Sequence, residues 1–132
     1  RVQLRSEGTV SNPVAFNRDL FGWVLENLLK NGIDALVEGK GTITVRLEND
    51  DEGGVRMYVA DTGKGVPARD TAKIFEPGYT TKKRGWGMGL ALVKRIVTQY
   101  HGGRIKIATT SQHGTTFLVT LPPANSAVAA RH

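Results

Sequence analysis

The chain has 132 residues, 39% of them hydrophobic and 23% charged, the make-up of a single globular domain able to bury a core. It contains no cysteine, which excludes disulfides and thiolate metal sites, and His101, His113 and His132 show no ligand spacing, so no structural zinc is expected. The formal net charge of +6 is concentrated between Asp61 and Arg95, where eight basic residues stand against three acidic ones, a local positive field suited to an anionic ligand.

Those cations are not interleaved with aromatics as single-strand grooves require, so no nucleic-acid partner is expected. No run approaches the roughly 18 apolar residues that span a bilayer. The opening Arg1-Val2-Gln3-Leu4 has neither initiator Met nor signal peptide, which reads as an excised fragment with cytoplasmic exposure. Val2 to Leu4 alternates as a short strand, and Asn12-Pro13 signals a turn. An apolar-rich stretch from Phe16 to Val37 predicts a long helix ending near Gly39.

On that helix Asn27, Lys30, Asn31 and Asp34 fall in one narrow polar stripe. Phe21, Val24, Leu25, Leu28, Leu29, Ile33, Leu36 and Val37 occupy most of the remaining circumference. A solvated face is one explanation of the stripe. Such faces favour long charged side chains, however, whereas two asparagines offer short amides with fixed carbonyl oxygens. Hard cations such as Mg²⁺ bind those oxygens while keeping waters and sharing phosphate ligands.

Thr42 to Leu47 and Val55 to Ala60 alternate with period two around the turn Asn49 to Gly54, predicting a hairpin. Directly after it comes Asp61-Thr62-Gly63-Lys64-Gly65. It is either an ordinary strand-end turn or a carboxylate placed to accept an exocyclic amine such as that of adenine, with glycines letting backbone approach the base. Gly63 to Gly87 is long for a loop in a compact domain, which points to function or mobility, with one short helix near Thr71 to Phe75. Within it, Ile74-Phe75-Glu76-Pro77 offers a hydrophobic anchor, and Thr80-Thr81-Lys82 offers hydroxyls and an ammonium to a polyphosphate.

Gly85-Trp86-Gly87-Met88-Gly89-Leu90 then feeds a helix N-terminus, a combination that aims amides at phosphate. The dinucleotide-binding reading fails because no strand immediately precedes this run and position 90 is Leu. Neither a P-loop nor a His-Arg-Asp catalytic loop occurs. Leu90, Val93, Val97 and Tyr100 mark one face of a helix over 90–100, closed by His101-Gly102-Gly103. His101 reads as a structural corner. Arg104 to Ala108 and Thr115 to Leu121 predict two further strands with Gly114 in their turn, and residues 124–132 predict a flexible tail after a single unit over 1–123.

Four motifs in order carry more than any one of them: Asn-x-x-x-Asn on a helix, Asp-x-Gly-x-Gly, Phe-Glu-Pro-x-Tyr-Thr-Thr-Lys and Gly-x-Gly-x-Gly-Leu. Together they resemble the Bergerat-fold family of DNA gyrase B, heat-shock chaperone ATPases, mismatch-repair ATPases and histidine kinases. The resemblance covers roughly Asn17 to Pro122. Glu-Asn-Leu-Leu-Lys-Asn, Ile-Phe-Glu-Pro and Gly-Thr-Thr-Phe are most similar to the histidine kinase catalytic and ATP-binding domain. The implied fold is a two-layer α/β sandwich, a mixed sheet packed on helices, with ATP beneath a mobile lid.

The resemblance implies that Asn31 ligates Mg²⁺, that Asn27 lies beside the phosphates and that Lys30 reaches them from the same face. Asp61 would bond the adenine amine, helped by Thr115 through water. Thr62 to Met88 would form the lid, with Lys82 and the amides of Gly87 and Gly89 closing over the β- and γ-phosphates. Gly63, Gly65, Val66, Ile74, Phe75, Thr81, Gly85, Met88 and Leu90 would line the nucleotide. Hydrolysing members carry a glutamate four residues before the magnesium asparagine. Here that position is Asn27, which favours phosphoryl transfer, with Glu26 about 90° from the centre of the stripe on an ideal helix. Asp34 replaces the Lys or Arg of many histidine kinases, and either faces metal-bound water or lies outside the site.

The implied activity is donation of the ATP γ-phosphate to a histidine on a separate helical phosphoacceptor and dimerisation domain, with a response regulator downstream. Membrane anchoring of the parent stays open, and the fragment is expected to be monomeric. Serine phosphorylation, ATP hydrolysis and non-catalytic nucleotide sensing stay open as alternatives.

Overall fold

The computed structural model describes residues 1–77 and 89–124. In chain order these form β1 (Val2–Glu7), α1 (Arg18–Ala35), β2 (Gly41–Asn49), β3 (Val55–Asp61), α2 (Gly89–Arg95), β4 (Arg104–Ser111) and β5 (Gly114–Leu121). One five-stranded sheet has the order β1-β2-β3-β5-β4. The β1–β2 pair is parallel because α1 lies between them as a crossover; the other three pairs are antiparallel. Both helices pack on one face, giving the expected two-layer α/β arrangement. Ile43, Met57, Val59, Ile105, Phe117, Val119 and Leu121 supply the sheet side of the core, and Val24, Leu28, Val93, Ile96 and Val97 supply the helix side.

Asn17 starts α1: its Oδ1 accepts the Leu20 amide at 3.0 Å, replacing one of the bonds that the first helical turn lacks. Val24, Leu28 and Gly32 recur every four residues and form the buried stripe. The helix is shorter at both ends than the apolar pattern predicted. Leu36 already has extended backbone, and Glu38 (φ 56°) and Gly39 (φ 67°) then turn the chain in the left-handed region toward β2. Of the expected apolar circumference, Ile33 and Val37 are instead 39% and 62% exposed, since they lie off the stripe that meets the sheet.

The second predicted helix is also modified. After Arg95 it widens into a π turn over Ile96–Tyr100. The widened turn is followed by a bond from the Gly103 amide to the Val97 carbonyl at 2.9 Å. His101 is fully buried at this corner. Its Nε2 accepts the Asn17 amide at 3.0 Å, so the proton belongs on Nδ1, which lies 3.0 Å from the Ile96 carbonyl. The ring therefore fastens the end of one helix to the start of the other.

Two predictions in the connecting regions need correction. The helix expected near Thr71 to Phe75 is replaced by a 3₁₀ turn at Ala68–Asp70 and a further turn. There the Lys73 and Ile74 amides both bond the Asp70 carbonyl, so no ladder propagates. Strand β4 runs to Ser111, beyond the expected Ala108, with a bulge between Ile107 and Thr109. Ala124 donates to the Pro13 carbonyl at 2.9 Å, and the rest of the expected tail lies outside the described residues. Among the described residues no helix is long and apolar enough to cross a membrane.

Candidate functional site

The site is built where α1, the end of β3, the start of β5 and the start of α2 converge. Asp61, the last residue of β3, is its most constrained member. Its Oδ1 accepts the Gly63 amide at 2.9 Å and the Thr115 amide at 3.3 Å. Burial pushes its carboxyl above the ordinary value of 3.8, against the lowering effect of those two bonds. Both contacts fall on Oδ1, and Oδ2 carries no hydrogen bond among the described residues. A carboxylate held this way presents one oxygen to a donor on a ligand.

The approach of α1 to Asp61 depends on Gly32, which the sequence reading passed over. A methyl there would stand 2.8 Å from Ile43 Cδ1, 3.4 Å from Asp61 Cβ and 3.8 Å from its Oδ2. Any side chain at this position would push the helix off the sheet or fill the space beside the carboxylate. The neighbouring Asn31 is half-buried, and Asn27 lies one turn earlier. Asn27 Nδ2 donates to the Trp23 carbonyl at 2.8 Å, which fixes the amide orientation with Oδ1 toward the first residue of α2. A Cβ on Gly89 would lie 3.6 Å from that oxygen, so the first residue of α2 and Asn27 are neighbours.

The segment after Asp61 is clamped from below. The Val66 amide donates to Thr110 Oγ1 at 2.9 Å, and that hydroxyl lies 2.8 Å from Thr115 Oγ1. Gly65 has φ 81°, and a Cβ there would run into the Ser111 carbonyl, so only glycine fits. Thr110 was missed in the sequence because it belongs to the wrong parity. The β4 bulge reverses the alternation, and Thr110 pairs with buried Thr115 on the core side.

The remaining expected residues divide into three groups. Lys30 points to solvent in an ion pair with Glu26 at 3.3 Å, with 66% and 60% of the two side chains exposed. Asp34 is exposed one turn beyond Asn31's end of the stripe. Ile74 is buried in the core, and Phe75 meets Phe117 edge-to-face with centroids 6.1 Å apart, so the pair anchors the segment leading to residue 77. Leu90 is half-buried in the first turn of α2. Thr81, Lys82, Gly85, Gly87 and Met88, with that part of the expected lid, lie outside the described residues.

Residues 17–125 match the family described as histidine kinase-, DNA gyrase B-, and HSP90-like ATPase. The chain is 39% identical over 122 residues to the sensor histidine kinase ZraS of Escherichia coli (strain K12), covering 92% of this chain and 26% of that protein. It is 41% identical over 109 residues to the C4-dicarboxylate transport sensor protein DctB of Rhizobium meliloti (strain 1021), covering 82% of this chain and 17% of that protein. It thus spans about a quarter or less of the length of these curated relatives. Among solved structures, the catalytic domain of histidine kinase ThkA superposes with a TM-score of 0.80 at 31% identity, over 93% of this chain and 80% of that one. Full-length ShkA in complex with AMPPNP gives a TM-score of 0.74 at 28% identity, over 96% of this chain and 27% of that one.

Proposed function

Since the chain belongs to the histidine kinase-, DNA gyrase B-, and HSP90-like ATPase family, we propose that it is the Mg-ATP-binding catalytic unit of a sensor histidine kinase. In this reading residues 1–123 form the unit, and its γ-phosphate passes to a histidine on a separate helical domain, with a response regulator as the next acceptor. The unit works on the cytoplasmic side of a parent protein. The observation that carries the proposal is that α1 lies against Asp61 at Gly32 and against the first residue of α2 at Asn27, so one helix links the two groups.

The residues fit the group they would hold. Asp61 Oδ2 accepts the exocyclic amine of adenine, while Gly63 and Thr115 hold the other oxygen in place. Gly65 and Val66, tied to Thr110, keep backbone near the base plane. Asn31 supplies a neutral amide oxygen to Mg²⁺, the type of ligand suited to a metal that shares phosphate oxygens. Asn27 turns its own oxygen toward the start of α2, beside the phosphates. Lys30 reaches them by leaving Glu26, which costs little because exposed pairs contribute about 0–1 kcal/mol. Thr81, Lys82 and the glycines at 85, 87 and 89 would offer hydroxyl, ammonium and amide donors to the polyphosphate. Support for the nucleotide class comes from ShkA, whose structure is in complex with AMPPNP.

Bound metal would neutralise charge on the transferring phosphoryl group, a reaction that otherwise needs mainly positioning. This chain therefore acts by holding and orienting. The test is calorimetric titration of ATP with and without Mg²⁺ into the protein and its Asn31→Ala variant. The variant is expected to lose about tenfold or more of the magnesium-dependent affinity and to retain metal-free binding. Equal magnesium dependence in both proteins would reject the reading.

A further inference from the structure

The sheet face turned away from the helices carries a charge distribution that nucleotide binding does not use. Cross-strand register sets out two rows of side chains on it. One runs Glu48, Arg56, Thr120, Arg104, and the next runs Arg46, Tyr58, Leu118, Lys106. An antiparallel face open to water is ordinary, but the two halves of this one differ.

The half over β2 and β3 is self-neutralised. Glu48 receives Arg46 and Arg56, each at 2.9 Å; Asp50 lies 3.6 Å from Arg56 Nε; and Arg46 covers the Tyr58 ring at 4.3 Å. The half over β4 and β5 is not. Arg104 and Lys106 have no carboxylate within ion-pairing distance among the described residues, and neither does Lys94. An open groove of about 390 Å³ is lined by Arg56, Arg104, Lys106, Leu118 and Thr120, and Lys94 borders it from α2, in the helix layer, with its ammonium 5.8 Å from the Phe75 ring centroid. Among the described residues the one carboxylate lining the groove, Asp50, already holds Arg56 and the Glu52 amide.

Alternate residues on a strand stand about 7 Å apart and neighbouring strands about 4.8 Å. Arg104 and Lys106 thus present two like charges beside Thr120 and Leu118, their half-buried partners on β5. Their mutual repulsion is relieved by an outside anion. An apolar side chain beside an uncompensated pair of cations suits a polypeptide surface more than a compact ion.

We infer that the β4 half of the open sheet face docks an acidic protein segment with apolar residues between its carboxylates. The juxtaposition that carries this is Arg104 and Lys106, without a carboxylate partner among the described residues, beside Leu118. The site is separate from the nucleotide cleft, because it lies on the opposite face of the sheet from α1.

The test uses this chain saturated with Mg-AMPPNP and a fluorescein-labelled peptide of about ten residues, rich in Glu and Asp with Leu at its centre, read by anisotropy at about 0.15 M salt. The Arg104→Glu/Lys106→Glu variant is expected to weaken peptide binding by about tenfold or more. Lys40→Glu/Arg5→Glu, the same charge change elsewhere, is expected to alter it by less than about twofold, and replacing the peptide leucines by serine to weaken it by about fivefold. The neutral pair Arg104→Gln/Lys106→Gln gives the same ordering if the reversal disturbs folding. Absent binding, equal loss in both charge reversals, displacement by nucleotide, or indifference to the leucines would each overturn the inference. Tripolyphosphate binding that follows the same cations without any leucine dependence would make this a phosphate site instead.

Discussion

Asp61 carries opposing influences on its ionisation, and they separate its binding role from its structural one. Burial raises its carboxyl above 3.8, and the amides of Gly63 and Thr115 pull it down without winning. The folded state thus holds a proton that the unfolded chain has lost in the interval just above 3.8, and this group's contribution to stability falls as pH rises through that interval. At neutral pH the buried charge is a cost to folding. Asp61→Asn keeps an oxygen for the two amides and removes that charge, so its unfolding temperature is expected to stay level or rise. Its new amide nitrogen cannot accept the adenine amine. A lost bond to a charged acceptor is worth about 1.5–3 kcal/mol, on the order of a ten- to hundredfold fall in ATP affinity. The wild type should also lose affinity on the acid side above 3.8, and the variant should lack that limb. Calorimetry across pH, beside thermal melts, checks both; a variant that binds as tightly as wild type removes Asp61 from the site.

At the scale of elements, the β4 bulge decides which threonine supports the cleft. Because the alternation reverses after Ile107, Thr110 reaches both the Val66 amide and Thr115 Oγ1. Thr110→Val keeps the shape but strands a backbone donor, and is expected to cost about 1–3 kcal/mol in urea unfolding with a several-fold weaker grip on nucleotide. Thr110→Ser retains the hydroxyl and should stay within about 1 kcal/mol of wild type. Equal stability of the valine and serine variants would show that the clamp contributes nothing. The same bulge explains what the sequence could and could not reveal. Strands β2, β3 and β5 alternate cleanly and were legible, as were both helices and the corner at His101. Thr110 was hidden because period two breaks at Ala108. Gly32 was hidden because a glycine within a helix announces no contact until Ile43 and Asp61 stand opposite it. The widening of the second helix at Ile96 was also invisible, and so was the bond by which His101, at its end, meets Asn17 at the start of α1. Asp61 at the end of β3 and the half-buried Asn27 and Asn31 on α1 stand where the sequence pattern put them, whereas Lys30 and Asp34 of the same stripe face solvent.

At the scale of the whole molecule, the proposed site would offer groups for positioning and few for hydrolysis. Hydrolysing relatives place a glutamate where this chain has Asn27, whose amide donates to Trp23 and cannot take a proton from water. The adjacent carboxylate, Glu26, is turned outward to Lys30 at 3.3 Å and stays largely in solvent. His101, the buried histidine, has both ring nitrogens engaged within the fold and offers no nucleophile. A chain built this way should bind Mg-ATP yet neither label itself nor release phosphate steadily. Its rate should rise by on the order of hundredfold or more when a helical domain brings an imidazole in line with the γ-phosphate, because bringing the nucleophile into place removes most of the entropic barrier. Incubation with γ-labelled ATP, alone and then with the phosphoacceptor domain of a homologous sensor kinase in trans, measures both halves. Label must appear on the added domain and be stable to base but labile to acid, as a phosphoramidate is. Steady phosphate release without a partner would identify a hydrolase. Label on serine of an added protein would assign the same cleft to a different acceptor.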